Sequence, residues 1–167
     1  MTQATMNDSM QWSDDYLLNN STMDDTHREF VDLLNAVLAA PEHELLRHWE
    51  ALVDHTQEHF DREDRWMLRT GFTADNCHAS QHAIILKIMR EGTQRGRSGE
   101  LHVPRQMARE LTVWFPQHAQ AMDAALAMHL HELGFDPATG SIARPQALPM
   151  QAIEGCGGAT CTDSEHK

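Results

Sequence analysis

The feature that most limits what this chain can become is its apolar rhythm. Four stretches repeat hydrophobic residues at intervals of three and four, and proline or glycine punctuates them. Recurrence at that interval lays one stripe along an α-helix, which must be buried. From Met23 to Ala40 the stripe is Phe30, Leu33, Leu34 and Val37; Asp24 can cap it and Pro41 breaks it. From Glu42 to Thr70 it is Leu45, Leu46, Trp49, Leu52, Val53, Phe60 and Met67, stopped by Gly71. A third helix fits Asp75 to Glu91, with Ile84, Ile85, Ile88 and Met89 inside and Gly92 at its end. The run GTQRGRSGE reads as a loop. Pro104 then opens a fourth helix carrying Met107, Leu111, Trp114, Met122, Leu126 and Leu130, ended by Gly134.

Four such helices with mostly short connections predict an all-α fold, an antiparallel up-down four-helix bundle over residues 23–134. Residues 1–22 read as an N-terminal arm packed on the bundle through Trp12, Tyr16, Leu17 and Leu18, ending in the turn and cap residues Asn19, Asn20 and Ser21. Residues 135–167, with Pro137, Gly140, Pro145, Pro149 and then GCGGAT, have no periodicity and read as a flexible tail.

A length of 167 residues suits one domain with a real core. The formal net charge of −12 argues against a nucleic-acid partner and against an anionic membrane surface. The first residues, MTQATMNDSM, have neither the basic start nor the apolar run of a secretory signal, and no stretch is long enough for a membrane span. Three cysteines, Cys77, Cys156 and Cys161, do not make a disulfide framework, and Cys77 reads as a packing residue. The expectation is a soluble, cytoplasmic protein, and four amphipathic helices that close on one another predict a monomer.

Histidine is the oddity: there are 12. His59 and Glu63 are four apart and project from one helix face, and His78 and His82 repeat the device on the next helix. Two ligand atoms one turn apart can reach a single ion. His27 lies on the side of Phe30 and Leu34 in the first helix. In the fourth, His118 and Asp123 are five apart, which an ideal helix separates by ~140° around its axis. They share a face only if the helix is distorted, and Pro116, which lacks a backbone donor, supplies a reason. Five imidazoles and two carboxylates then converge from four helices. Seven ligands exceed what one ion needs, whereas two ions sharing two carboxylates use them and leave a position open; imidazole suits iron, zinc or copper, and carboxylate favours a harder ion.

The remaining histidines carry less. His55, four before His59, reads as a neighbour of the site; His43, His48 and His102 read as solvent or loop residues, and His129 and His131 as packing or surface. Cys156, Cys161 and His166 lack zinc-ribbon spacing.

These segments resemble those of the hemerythrin family in its bacterial branch. The resemblance rests on Trp12, Tyr16 and the run Asp24–Phe30, on HFDREDRWM from His59, on the His78/His82 pair, and on WFPQHAQAMD from Trp114 to Asp123. It covers Trp12 to Leu133. It implies an oxo- or hydroxo-bridged di-iron centre with His78, His82 and His118 on one iron, His27 and His59 on the other, and Glu63 and Asp123 bridging. It also implies reversible dioxygen binding for storage, delivery or sensing, at the iron with two histidines, rather than an enzyme. The rival readings are a di-iron enzyme consuming peroxide or nitric oxide, and an iron-handling or regulatory module. Two positions depart from the family pattern: Asp64 stands where glutamate is common, with no need to touch the metals, and Ala119 replaces a branched apolar residue, which loosens the pocket wall. Phe30, Phe60 and Ile85 adjoin the ligands and are the lining residues expected.

Overall fold

The computed structural model describes residues 9–156. Four helical rods run through it: α1 (Ser21–Ala39), α2 (Glu42–Arg69), α3 (Cys77–Arg97), and a fourth built from α4 (His102–His118), a π turn (Ala119–Asp123) and α5 (Ala124–Leu133). Each rod packs against its two neighbours, α1 closing on α4, and the short connections make successive rods antiparallel. The only β-pairing among the described residues is two isolated bridges. No helix among them is long and apolar enough to cross a membrane.

Local chemistry sets the boundaries. Asn20 caps α1 by accepting from the Met23 amide, while Asp24 instead holds the incoming arm through the Leu18 amide. The Arg105 guanidinium donates to the Leu38 and Ala40 carbonyls, satisfying the end of α1 from across the α1–α4 seam. The arm lies on the bundle: Trp12 and Tyr16 pack on the first apolar cluster and Leu18 on the second, Tyr16 meets Phe115 edge-on at 5.9 Å, and Leu17, expected to pack, is instead 39% exposed.

Three readings from sequence are corrected. First, α3 does not stop at Glu91 but continues through Gly92 and Gly96 to Arg97, so most of GTQRGRSGE is helix. Gly92 is a contact residue here: a Cβ on it would fall 2.5 Å from Met107 Sδ and 2.9 Å from the Trp49 ring. Its absence lets α3 approach α2 and α4 closely, which offsets the intrinsic helix penalty of glycine. Second, the buried stripe of α3 is His78, His82, Leu86 and Met89; Ile84 is 59% and Ile88 42% exposed. The histidines, not the isoleucines, set which face turns inward.

Third, residues 135–156 are packed rather than a loose tail. Gly134 (φ 59°) ends α5 in the left-handed conformation, and the chain folds back so that the Ala143 and Arg144 amides bond to Gly134 and Leu133. Arg144 then donates to the Glu132 and His131 carbonyls at the end of α5. Farther on, Ile153 exchanges backbone hydrogen bonds with Gly71 and Thr73, and the Cys77 amide donates to Glu154. Cys77 is disulfide-bonded to Cys156, 79 residues away, so two of the three cysteines are paired after all. Cys161 and His166 lie outside the described residues.

The interior is two apolar clusters. One holds Phe30, Leu34, Val37, Leu45, Trp49, Leu52, Met89, Leu111 and Phe115. The other holds Met23, Trp66, Met67, Leu126, Leu130 and Leu133, together with Phe72 and Phe135. Between them, crossing all four rods, lies a polar layer.

Candidate metal centre

The polar layer consists of the seven residues singled out by spacing. His27, His59, Glu63, His78, His82, His118 and Asp123 are all buried, and the structure brings them all together. His27 comes one turn after Met23 and one before Phe30 on α1. His59 and Glu63 precede Trp66 and Met67 on α2, and His78 and His82 precede Leu86 and Met89 on α3. The rods α1, α2 and the fourth are therefore apolar, polar and apolar in turn, α3 opens directly on its polar portion, and the polar portions meet.

The fourth rod shows how the five-residue step is accommodated. The backbone runs as α-helix straight through Pro116 and then takes a π turn over Ala119–Asp123, in which the Ala124 amide reaches back five residues to the Ala119 carbonyl. One residue more per turn lets positions five apart share a face, as positions four apart do in an α-helix. The distortion thus lies three residues after the proline.

The ligand atoms form two overlapping groups. Glu63, His78, His82, His118 and Asp123 make one; His27, His59, Glu63 and Asp123 make the other, and in each the atoms lie within 4.8 Å of one another. Both carboxylates belong to both groups, and each divides its oxygens between them. Glu63 Oε1 is 3.0 Å from His59 Nε2, while Oε2 is 3.6 Å from His78 Nε2 and 3.4 Å from His82 Nε2. Asp123 Oδ2 is 3.0 Å from His27 Nε2, while Oδ1 is 3.0 Å from His78 and 3.1 Å from His118.

The fit to metal ions shows in what these atoms fail to do for one another. His27 Nε2, His78 Nε2, Glu63 Oε2 and both Asp123 oxygens are fully buried yet make no hydrogen bond of acceptable geometry, despite those short separations. His82 and His118 face each other Nε2 to Nε2 at 3.3 Å, an arrangement in which only one ring can donate. Ligands bound at about 2.1 Å and at right angles on one ion stand roughly 3.0 Å apart, so these spacings suit cations at shared points. An orphaned buried polar atom costs about 1–3 kcal/mol, and a cluster of them requires a partner.

Electrostatics agrees. Burial opposes charge on Glu63, Asp123, His27, His82 and His118, and the neighbours outweigh it for all of these but His118. Glu63, despite burial and the like charge of Asp123, is held far below the usual carboxylate range by His59 and His82, and Asp123 likewise by His118, His27 and His78. Against its burial, His27 is raised by Asp123, and His82 is raised to about 9 by Asp64 and Glu63. In His118 burial wins and the ring is pushed down. The layer thus holds two anions among imidazoles, ready to exchange protons for metal.

Aromatic rings wall the layer. Phe60 stacks on His82 at 3.8 Å and Trp114 on His118 at 4.5 Å. Phe115 meets His27 edge-on at 5.2 Å and stacks on Phe30 at 4.8 Å. Phe60 thus occupies the lining position expected of it; Phe30 backs Phe115 within the neighbouring apolar cluster, against which Ile85 also packs. Spacing did not single out Phe115 or Trp114 for this role, although both stand one turn before His118 and Ala119 on the ligand-bearing face. It also missed Asp64 and Gln81: Asp64 accepts from His82 Nδ1 at 2.8 Å and Gln81 accepts from His118 Nδ1 at 2.6 Å. Both ties cross between rods, so no pattern within one helix reveals them. His55 donates to the Thr26 carbonyl and His129 to the Thr70 carbonyl, both outside the layer.

Residues 19–130 match the family model described as the hemerythrin HHE cation-binding domain. A bacteriohemerythrin of Ralstonia nicotianae is 34% identical over 127 residues, spanning 76% of this chain and 93% of that one. Bacteriohemerythrins of Stenotrophomonas maltophilia and Pseudomonas aeruginosa are 24% and 27% identical, over 77% and 68% of this chain and 89% and 76% of theirs. No solved structure gives a significant match. With a cation-binding cluster at the centre of a four-helix bundle and this set of relatives, the chain belongs to the hemerythrin family.

Proposed function

We propose that the seven side chains hold two iron ions and that the protein binds dioxygen there reversibly. The observation that carries this reading is the division of each carboxylate, with one oxygen toward His27 and His59 and the other toward His78, His82 and His118. A carboxylate shared in this way would serve as a bridge, and two such bridges would hold two ions side by side. One ion would then have five protein ligands and the other four, which would leave the open position on the side of His27 and His59.

The donor set favours iron: imidazole and carboxylate together suit a borderline-to-hard ion, and two anions against five neutral rings give less support to high oxidation states than a carboxylate-rich site would. Two ferrous ions would supply the two electrons that dioxygen takes up and gives back. The protein's own part is to keep the site dry. Phe30, Phe115 and His27 form a continuous aromatic contact on the open side, and Phe60 covers His82. Excluding water limits proton delivery and loss of bound ligand, which favours release of dioxygen over further reduction. The family membership and the naming of the relatives as bacteriohemerythrins support a carrier over an enzyme.

Loading the chain with ferrous iron and admitting air tests the reading. The expected result is two irons per chain and a charge-transfer spectrum that forms in air and disappears under vacuum through repeated cycles. Undiminished iron uptake after replacing His78 and His82 together would remove the metal assignment. Immediate bleaching with turnover of peroxide or nitric oxide would replace the carrier by an enzyme.

A further inference from the structure

The two halves of the centre are supported differently from outside. The five rings turn Nε2 toward the middle of the layer, so the outer nitrogen of each ring is Nδ1. His82 Nδ1 donates to Asp64 Oδ1 (2.8 Å) and His118 Nδ1 to Gln81 Oε1 (2.6 Å). The Nδ1 atoms of His27, His59 and His78 are buried and meet no hydrogen-bond partner among the described residues. The supported rings therefore both belong to the three-histidine group, and neither ring of the two-histidine group has such support. Each tie also spans a seam. Asp64 on α2 holds a ring of α3, and Gln81 on α3 holds a ring of α4.

A ring that gives its Nε2 lone pair to a metal carries its proton on Nδ1, so it needs an acceptor there. Asp64 and Gln81 both present an oxygen. They differ in charge: the carboxylate pulls the Nδ1 proton and makes the ring a stronger donor, whereas the amide fixes orientation with little added charge.

Resting on the di-iron reading, we infer that Asp64 and Gln81 are positioning residues that lock the tautomer and direction of His82 and His118, and that Asp64 in addition makes the three-histidine iron the more tightly held and the harder to reduce. The open, two-histidine iron is then the labile member of an electronically unequal pair. The inequality is set by a residue one position beyond the bridging glutamate.

The test compares wild type with Asp64→Asn, Asp64→Glu and Gln81→Glu, each loaded with ferrous iron. Asp64 is 37% exposed and at the helix surface, so Asp64→Asn should leave the iron-free chain folded with unchanged helicity, which circular dichroism checks. Expected for Asp64→Asn is a 10–100-fold loss in iron affinity, read by competition with a ferrous chelator, together with a higher midpoint potential. Asp64→Glu should restore both. Gln81→Glu should move the potential the opposite way, because it adds the charge that Asp64→Asn removes; a merely structural tie would not give opposite signs. If wild type takes up two irons but Asp64→Asn keeps its affinity and potential, the inference fails and the di-iron reading stands. If wild type takes up no iron, the di-iron reading itself fails.

Discussion

The two apolar ends that enclose the polar layer are built on different plans. The end around Trp49 and Phe115 is helix against helix: all four rods supply large side chains, and the arm adds Met10, Trp12 and Tyr16 at its edge. At the end around Trp66 and Leu130 one rod is nearly missing. α3 begins at Cys77, immediately before its first histidine, so it has only Ala79 to offer there. The gap is filled by irregular chain, with Phe72 from the α2–α3 connection and Phe135, Ile142, Leu148 and Ile153 from the C-terminal segment. Gly71 (φ 101°) makes that closure possible, since Pro149 Cγ lies only 2.4 Å from where its Cβ would stand. A ligand placed near the start of a helix thus leaves the core beyond it to be covered by something else, and this chain uses its C-terminal segment and a disulfide.

The comparison can be broken most forcefully by removing the cover. A chain ending at Gly134 should lose of order 6 kcal/mol of unfolding free energy in the iron-free state, from four apolar side chains at roughly 1.5 kcal/mol each, with the loss of the Cys77–Cys156 disulfide in addition. Urea unfolding followed by helicity measures it, and an unchanged midpoint would mean that the second end closes without the segment. Leu34→Ala, in the helix-built end, should cost about 3–4 kcal/mol, because a fully buried leucine leaves a cavity that rigid helices cannot collapse. Cys156→Ser should cost about 2–4 kcal/mol, and wild type in reductant should melt with the variant; a wild type insensitive to reductant would show that the bond does not staple the segment.

A smaller and pH-dependent effect tests the layer between the ends. His82 is raised in the folded, iron-free chain to about 9, so its contribution is complete below its unfolded value near 6.5 and is lost as pH rises through about 9. Iron-free protein should therefore lose stability between those values, while iron-loaded protein should not, since metal replaces the proton as the partner of the carboxylates. Equal pH slopes with and without iron would contradict this account. Smallest of all, Asn20→Ala should cost about 1 kcal/mol by removing the α1 cap.

Much of the molecule was legible without coordinates, and the reasons are local. Phe30, Leu34 and Val37, or Leu45, Trp49 and Leu52, are buried because one helix's period determines one helix's face. His59 with Glu63 and His78 with His82 share a face for the same reason, and the awkward step from His118 to Asp123 required a distortion somewhere near it. Reading failed where the deciding contact came from another segment. Gly92 looked like a stop, but Trp49 and Met107 press against it. Ile84 and Ile88 looked inward, but the histidines took that face. The C-terminal segment looked loose because its partners, Gly71, Thr73 and Cys77, lie far back in the chain.

The sequence by itself determined the four rods, their inward faces over most of their length, and the seven side chains able to meet at the middle, since all of these follow from helical periodicity. The tertiary structure alone decided how each carboxylate divides its oxygens, which rings receive Asp64 and Gln81, and how the second end is closed. Each of these is a distance between atoms on different segments, and such distances are set by the packing of whole rods rather than by the order of residues within any one.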